Sequence, residues 1–282
     1  ERCDYMKMKK NSFMQGAFIA TFGIVLCKIM GILYVIPFHS VIGEQGGALY
    51  GYAYNIYSIF LSVSQAGIPL AMSKIISEYY TLGYFNAKER AFKIGKTFLF
   101  IIGFLCFLIL FIFADQIGHM IIGNVEGGNT REDIAFVIRV ISTAILIIPS
   151  LSVTRGYFQG HRFITPTSIS QILEQLTRVL IIVIGSFLMY RVLHMSLKAT
   201  VGVAVFAATV GGMVSYGYLL WKQKKNKKEF VKYDKKLKEP KITNKEIMKK
   251  IIMYSIPFIM IDLFRSLYNS VDVLTLVKAL VN

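Results

Sequence analysis

Long charge-free stretches alternate with short basic ones along this chain. Residues 45–73, 97–114 and 199–221 contain no Lys, Arg, Asp or Glu, while 16–38, 134–153 and 166–190 carry one or two each. A helix crosses the hydrocarbon core with about 20 mostly apolar residues. Those six stretches, with another that opens at Ile251, predict seven transmembrane helices. The expected fold class is an all-α polytopic membrane protein.

Polar residues inside the spans recur at helical spacing. In the second span Asn55, Ser58, Ser62, Gln65 and Pro69 fall at alternating steps of three and four, one stripe of a helix. In the fifth, Gln171, Glu174, Gln175 and Arg178 share one face, with Ile169, Ile172, Leu173, Leu176 and Leu180 opposite. Glu174 precedes Arg178 by four residues, the favourable order for an intrahelical ion pair. Lys28 stands mid-span in the first helix, beside a row of small residues: Gly16, Ala20, Gly23, Cys27 and Gly31. A lysine at the bilayer centre costs about 2.5–3.5 kcal/mol on insertion scales, so it needs water or a partner. The seventh span carries Asp262, Arg265, Asn269 and Asp272 along one stripe. Stripes of this kind line either a hydrated cavity or a seam between packed helices, and the pattern alone leaves both open. On the cavity reading, the candidate substrate-binding residues are Lys28, Asn55, Ser62, Gln65, Gln171, Glu174, Gln175, Arg178, Arg265 and Asp272.

Other features read as structural. The third span, Thr97 to Ala114, is apolar all round and suits a lipid-facing position. Tyr50, Tyr52, Tyr54 and Tyr57 read as an interfacial belt. Arg155-Gly156 and Gly160 read as a tight cytoplasmic turn between spans four and five, with Tyr157, Phe158 and Phe163 in the interface.

The net charge of +16 changes meaning once it is mapped. With the N-terminus in the cytoplasm, 24 of the 32 Lys and Arg fall in inside segments, 3 in outside ones and 5 within spans. Such asymmetry over short loops reports orientation rather than a nucleic-acid partner. Residues 222–250 hold 13 of the basic side chains against 4 acidic ones. That run reads as a solvated connector, and each such charge near a membrane attracts anionic lipid by about 1 kcal/mol. The expected domains are a six-helix lobe at 1–221, a basic linker at 222–247 and the first helix of a further lobe at 248–282.

Three cysteines, two of them mid-span, give no disulfide framework. The four histidines fall near span ends without ligand spacing, and there is no paired-aspartate metal motif or Gly-rich phosphate loop. No cofactor is expected, and no enzymatic role. The first apolar run is too long for a signal peptide. The chain starts at Glu1 and stops in or just after the seventh span, so it reads as part of a longer protein.

Two separated blocks carry a family resemblance. RGYFQGHRFITPTSISQILEQLTRV at 155–179 and KIMGILYVIPFHSVIGEQGGALYGYAYNIYSIFLSVSQAGIPLAMSKIISEYY at 28–80 resemble the polysaccharide-biosynthesis branch of the multidrug/oligosaccharidyl-lipid/polysaccharide (MOP) flippase superfamily. Within that branch the blocks are similar to stage V sporulation protein B-like and MurJ-type lipid II flippases. The resemblance implies two six-helix lobes forming a V, of which this chain holds the first. It also implies alternating access that carries an undecaprenyl-diphosphate-linked saccharide across the bacterial cytoplasmic membrane. Cations of the first spans would hold the anionic headgroup, which makes Lys28 the first-span cation. Implied partners are the lipid-linked saccharide, membrane lipids and cell-wall synthesis proteins. MurJ-type members of Gram-negative bacteria have further arginines where this chain has Tyr34 and an uncharged second-span stripe, so its cation set is thinner. The competing readings are a cation-coupled exporter of the related MATE type, a membrane-embedded transferase and a non-transporting scaffold.

Overall fold

The computed structural model describes residues 10–62, 67–122, 128–230 and 239–281, and leaves some side chains within those helices undescribed. Every long element is a helix: α1 (Phe13–Leu33), α2 (Val35–Ser62), α3 (Ile68–Thr81), α4 (Phe85–Ile112), α5 (Ala114–Ile122), α6 (Arg131–Ile145), α7 (Ile148–Gly160), α8 (Ile164–Leu180), α9 (Leu197–Lys225), the single turn α10 (Lys227–Phe230) and α11 (Asn244–Val281). Among the described residues five helical stretches are long and apolar enough to cross a membrane: Met14–Leu33, Phe85–Ile112, Arg131–Gly160, Ile164–Val192 and Leu197–Lys225. The second predicted span is divided between α2 and α3, and the seventh lies within α11, which carries Pro257 in its interior.

Local sequence explains the helix ends. Ser12 accepts from the backbone of Gln15 while the Gln15 side chain accepts from the backbone of Ser12, a capping box that starts α1. Thr130 and Asp133 do the same for α6. Pro149, in the first turn of α7, lacks the N–H that would continue α6, so the fourth span is broken at Leu146–Ile147. Between the first and second expected spans the chain stays helical apart from Gly43, whose φ of 65° kinks α2. Beyond α8 the helix continues in wider π turns at Ile181–Gly185 and Leu188–Val192.

Small residues set the packing. A Cβ on Gly23 would lie 3.2 Å from Ser168, and one on Gly31 3.4 Å from Gln175, so the small row of α1 rests on α8. A Cβ on Gly211 would come within 2.7 Å of the Glu174 carbonyl, which presses α9 against the other flank of α8. The opposite, apolar edge of α8 is open to lipid: Ile169, Leu176 and Leu180 are exposed. So are Phe100, Ile101, Leu105 and Ile109 of α4, in keeping with its all-round apolar character.

The stretch expected as a cytoplasmic turn at 154–160 is instead the buried end of α7. It packs against α3 and α4, and a Cβ on Gly156 would sit 2.6 Å from the Pro69 carbonyl. Tyr157, Phe158 and Phe163 are fully buried rather than interfacial. The reversal is confined to His161–Phe163, with Arg162 at φ 64°. Two residues of the connector after α9 are also tied down. Phe230 is 1% exposed among the rings of Tyr157, Phe158 and Phe163. The Glu239 carboxylate accepts from the Asn86 and Ala87 amides at the start of α4.

Candidate substrate-binding cavity

Helices α1, α7 and α8 enclose a cavity of about 250 Å³ lined by Ile24, Cys27, Lys28, Arg155, Gln171, Glu174, Gln175 and Arg178. Its organising group is Glu174, 6% exposed. One carboxylate oxygen accepts from Arg178 at 3.0 Å, one turn further along α8. The other accepts from Arg155 of α7 at 2.7 Å. Arg155 in turn donates to Ser170 of α8 at 3.0 Å and to Ser215 of α9 at 2.8 Å, so three helices meet at one guanidinium. Lys28 is exposed on the cavity wall and has no ion pair or hydrogen bond among the described residues. Three cations thus face one acid, leaving a net charge of +2 at this site.

An aromatic ladder stands behind Arg178. Phe38 and Tyr50 meet edge to face at 5.0 Å, Tyr50 stacks on Tyr54 at 5.7 Å, and Tyr54 meets Tyr57 at 5.9 Å. The hydroxyls of Tyr50, Tyr54 and Tyr57 lie within electrostatic reach of Arg178. Among the described residues the Tyr57 hydroxyl and Arg178 Nε are buried without a hydrogen-bond partner. An interfacial belt does not describe these rings: Tyr57 is fully buried, Tyr50 and Tyr54 are partly so, and only Tyr52 is exposed.

Residues 13–282 match the sequence profile of the family described as polysaccharide biosynthesis protein. The chain belongs to that family. Among polysaccharide biosynthesis proteins it is 31% identical to the lipid II flippase MurJ of Bacillus subtilis (strain 168) over 274 residues, 96% of this chain and 50% of that one. It is 26% identical over 245 residues to stage V sporulation protein B of the same organism, covering 86% of this chain and 45% of that one. A MOP superfamily transporter from Pyrococcus furiosus has the same fold, with a TM-score of 0.71 at 13% identity over 93% of this chain and 56% of that one. The chain therefore spans about half the length of the curated relatives it matches.

In this family member the structure brings Lys28, Gln171, Glu174, Gln175 and Arg178 to one cavity. Asn55 is exposed on α2 and does not line it. Gln65 and the side chains of Ser62, Arg265 and Asp272 lie outside the described residues. Arg155 was missed by sequence reasoning, which placed it in a turn. The signal was present in the carboxylate itself: Arg178 occupies one oxygen of Glu174, and a buried carboxylate needs partners for both.

Proposed function

We propose that this chain is the substrate-binding N-terminal part of a flippase that moves an undecaprenyl-diphosphate-linked saccharide, of the lipid II type, across the bacterial cytoplasmic membrane by alternating access. The observation that carries this reading is the surplus of cations in the cavity, where Lys28, Arg155 and Arg178 face Glu174 alone. A unit charge about 4 Å from its counter-ion gains about 4 kcal/mol at an effective dielectric near 20. Two uncompensated positive charges complement the two negative charges of a diphosphate diester. Planar guanidinium groups also fit phosphate oxygens in pairs. Glu174 competes with the substrate for both arginines, which keeps the hold weak enough for release on the far side. Gln171 and Gln175, on the same face of α8, offer amides to sugar hydroxyls.

On this reading the first lobe comprises 1–221 and α11 opens the second, whose inward face completes the chamber. The lysine-rich connector faces the cytoplasm and its anionic lipid. Arg265 and Asp272 of the seventh expected span, with Asn55, Ser62 and Gln65 of the second, are assigned to binding the headgroup on this reading. Cell-wall synthesis proteins supply the lipid-linked precursor. A cation-coupled exporter needs acids in the central cavity to hold its ion; here cations outnumber the acid three to one.

The test is transport of a fluorescent diphosphate-linked saccharide by the full-length protein in vesicles. Lys28→Ala is expected to lower the rate at least tenfold at equal reconstituted amounts. Unchanged transport in that variant removes the cavity from the mechanism. Release of a diphosphate fragment without translocation points to an enzyme instead.

A further inference from the structure

A second opening lies on another side of the bundle and shares no residue with the cavity around Glu174. It encloses about 430 Å³ where α4, the α6–α7 break and α9 meet, with Lys96, Thr97, Phe100, Ile147, Ser150 and Tyr216 among its walls. The walls are mostly apolar, and the exceptions converge. The Lys96 ammonium lies over the Tyr216 ring, 5.3 Å from its centre, and has no carboxylate partner among the described residues. Ser150, 5% exposed as a residue, joins Thr97 as a hydroxyl-bearing side chain on the apolar wall. A cation without a carboxylate partner on the wall of a mostly apolar groove suits an occupant that is both anionic and apolar.

Depth narrows the class of anion. Tyr216 precedes Lys222 by six residues, about 9 Å along the axis of α9. Lys222, Lys224 and Lys225 end that helix, and Trp221 beside them is half-exposed. Lysines and aromatic rings at one level mark the membrane–water boundary. Lys96 therefore sits at headgroup depth or just beneath it. Phe100, one turn deeper along α4, is half-exposed to the hydrocarbon.

We propose that this groove is a binding site for an anionic phospholipid of the leaflet that borders the lysine-rich end of α9. Its phosphodiester sits between the Lys96 ammonium and the hydroxyls of Ser150 and Thr97, and an acyl chain lies along Ile147 and Phe100. A free phosphate has no use for the apolar wall. A partner helix would leave the Lys96 charge without a counter-ion unless it brought an acid to that depth.

The proposal is tested by native mass spectrometry of the full-length protein released from nanodiscs that contain equal amounts of phosphatidylglycerol and phosphatidylcholine. Wild type is expected to retain phosphatidylglycerol about tenfold over phosphatidylcholine. Lys96→Met is expected to bring that ratio close to one, while Lys96→Arg and Lys93→Met, one turn away and outside the groove, keep it. Ser150→Phe, which fills the groove, is expected to lose the bound lipid altogether. Thermal protection of wild type in detergent by phosphatidylglycerol, and not by inorganic phosphate or phosphatidylcholine, supports the site without any variant. Equal retention of the two lipids by wild type, an unchanged ratio in Lys96→Met, retained lipid in folded Ser150→Phe, or protection by phosphate alone overturns it.

Discussion

Arg155 and Tyr157 stand two residues apart on α7 and belong to two buried clusters of opposite character. Arg155 joins Glu174, Arg178 and Lys28 at an open cavity in which, among the described residues, one cation is unpaired and one guanidinium nitrogen is orphaned. Tyr157 joins a closed cluster around Lys88, which is fully buried. There the Tyr157 hydroxyl donates to Glu89 at 2.5 Å. Lys88 lies 3.3 Å from Glu89 and 3.0 Å from His161 Nε2, and it also donates to the Phe230 carbonyl. The rings of Tyr80, Phe85 and Tyr157 surround its ammonium within 6 Å. Burial alone therefore says little about function. What separates the two is whether the partners account for the charge: around Lys88 they do, and around Glu174 they leave two positive charges over.

The contrast is broken most severely at Glu174. Glu174→Leu leaves Arg155 and Arg178 buried without their shared acid, and loss of one member of a buried charge network costs about 3–5 kcal/mol. Thermal unfolding of the solubilised protein should show a collapse in folded yield. Removing Arg178 as well restores little, because Arg155 stays buried with only Ser170 and Ser215 as partners. Full recovery in the Glu174→Leu/Arg178→Leu double variant reduces the network to the local pair that the i, i+4 spacing suggests.

At the closed cluster the effect is smaller and of another kind. Lys88→Met keeps the apolar stem among the rings but leaves His161 Nε2 and the Phe230 carbonyl without a donor. The expected loss is about 2–3 kcal/mol, with the affinity of the folded fraction for lipid-linked substrate unchanged. Weaker substrate binding at wild-type stability turns Lys88 into a ligand and erases the distinction.

The two clusters were unequally legible in the sequence. Five of the seven expected spans were readable because length and apolar content are local properties, and so was the shared face of Gln171, Glu174, Gln175 and Arg178. The contact between α1 and α8 was half legible, since the row from Gly16 to Gly31 announced close packing without naming the partner. Arg155 was hidden because LSVTRGYFQG is polar and glycine-rich, the composition of a turn; burial of that segment depends on α3 and α4. The Lys88 cluster joins residues 73 and 142 positions apart, and no periodicity carries that information. The Gly43 kink stands in a stretch that also holds Gly46, Gly47 and Gly51, so composition did not single it out.

The finest test of closure is proton uptake at His161. Its Nδ1–H donates to the Tyr157 carbonyl at 2.8 Å, which leaves Nε2 to accept from Lys88 at 3.0 Å. Burial first, then the nearby Lys88 and Lys10 charges, lowers its pKa from 6.5 to about 3. Above pH 6.5 the imidazole is neutral in both folded and unfolded chains, and the contribution of this group to stability is at its fullest. As pH falls from about 6.5 toward 3 only the unfolded chain takes up the proton, so stability drops, by about 1.4 kcal/mol at pH 5.5. His161→Gln has no such proton to gain. It should begin below wild type at pH 7.5, and the gap between the two unfolding curves should narrow by that amount on the way to pH 5.5. A constant gap would mean that water and protons reach His161 in the folded protein, and a cluster open to protons is no counterpart for the open cavity across α7.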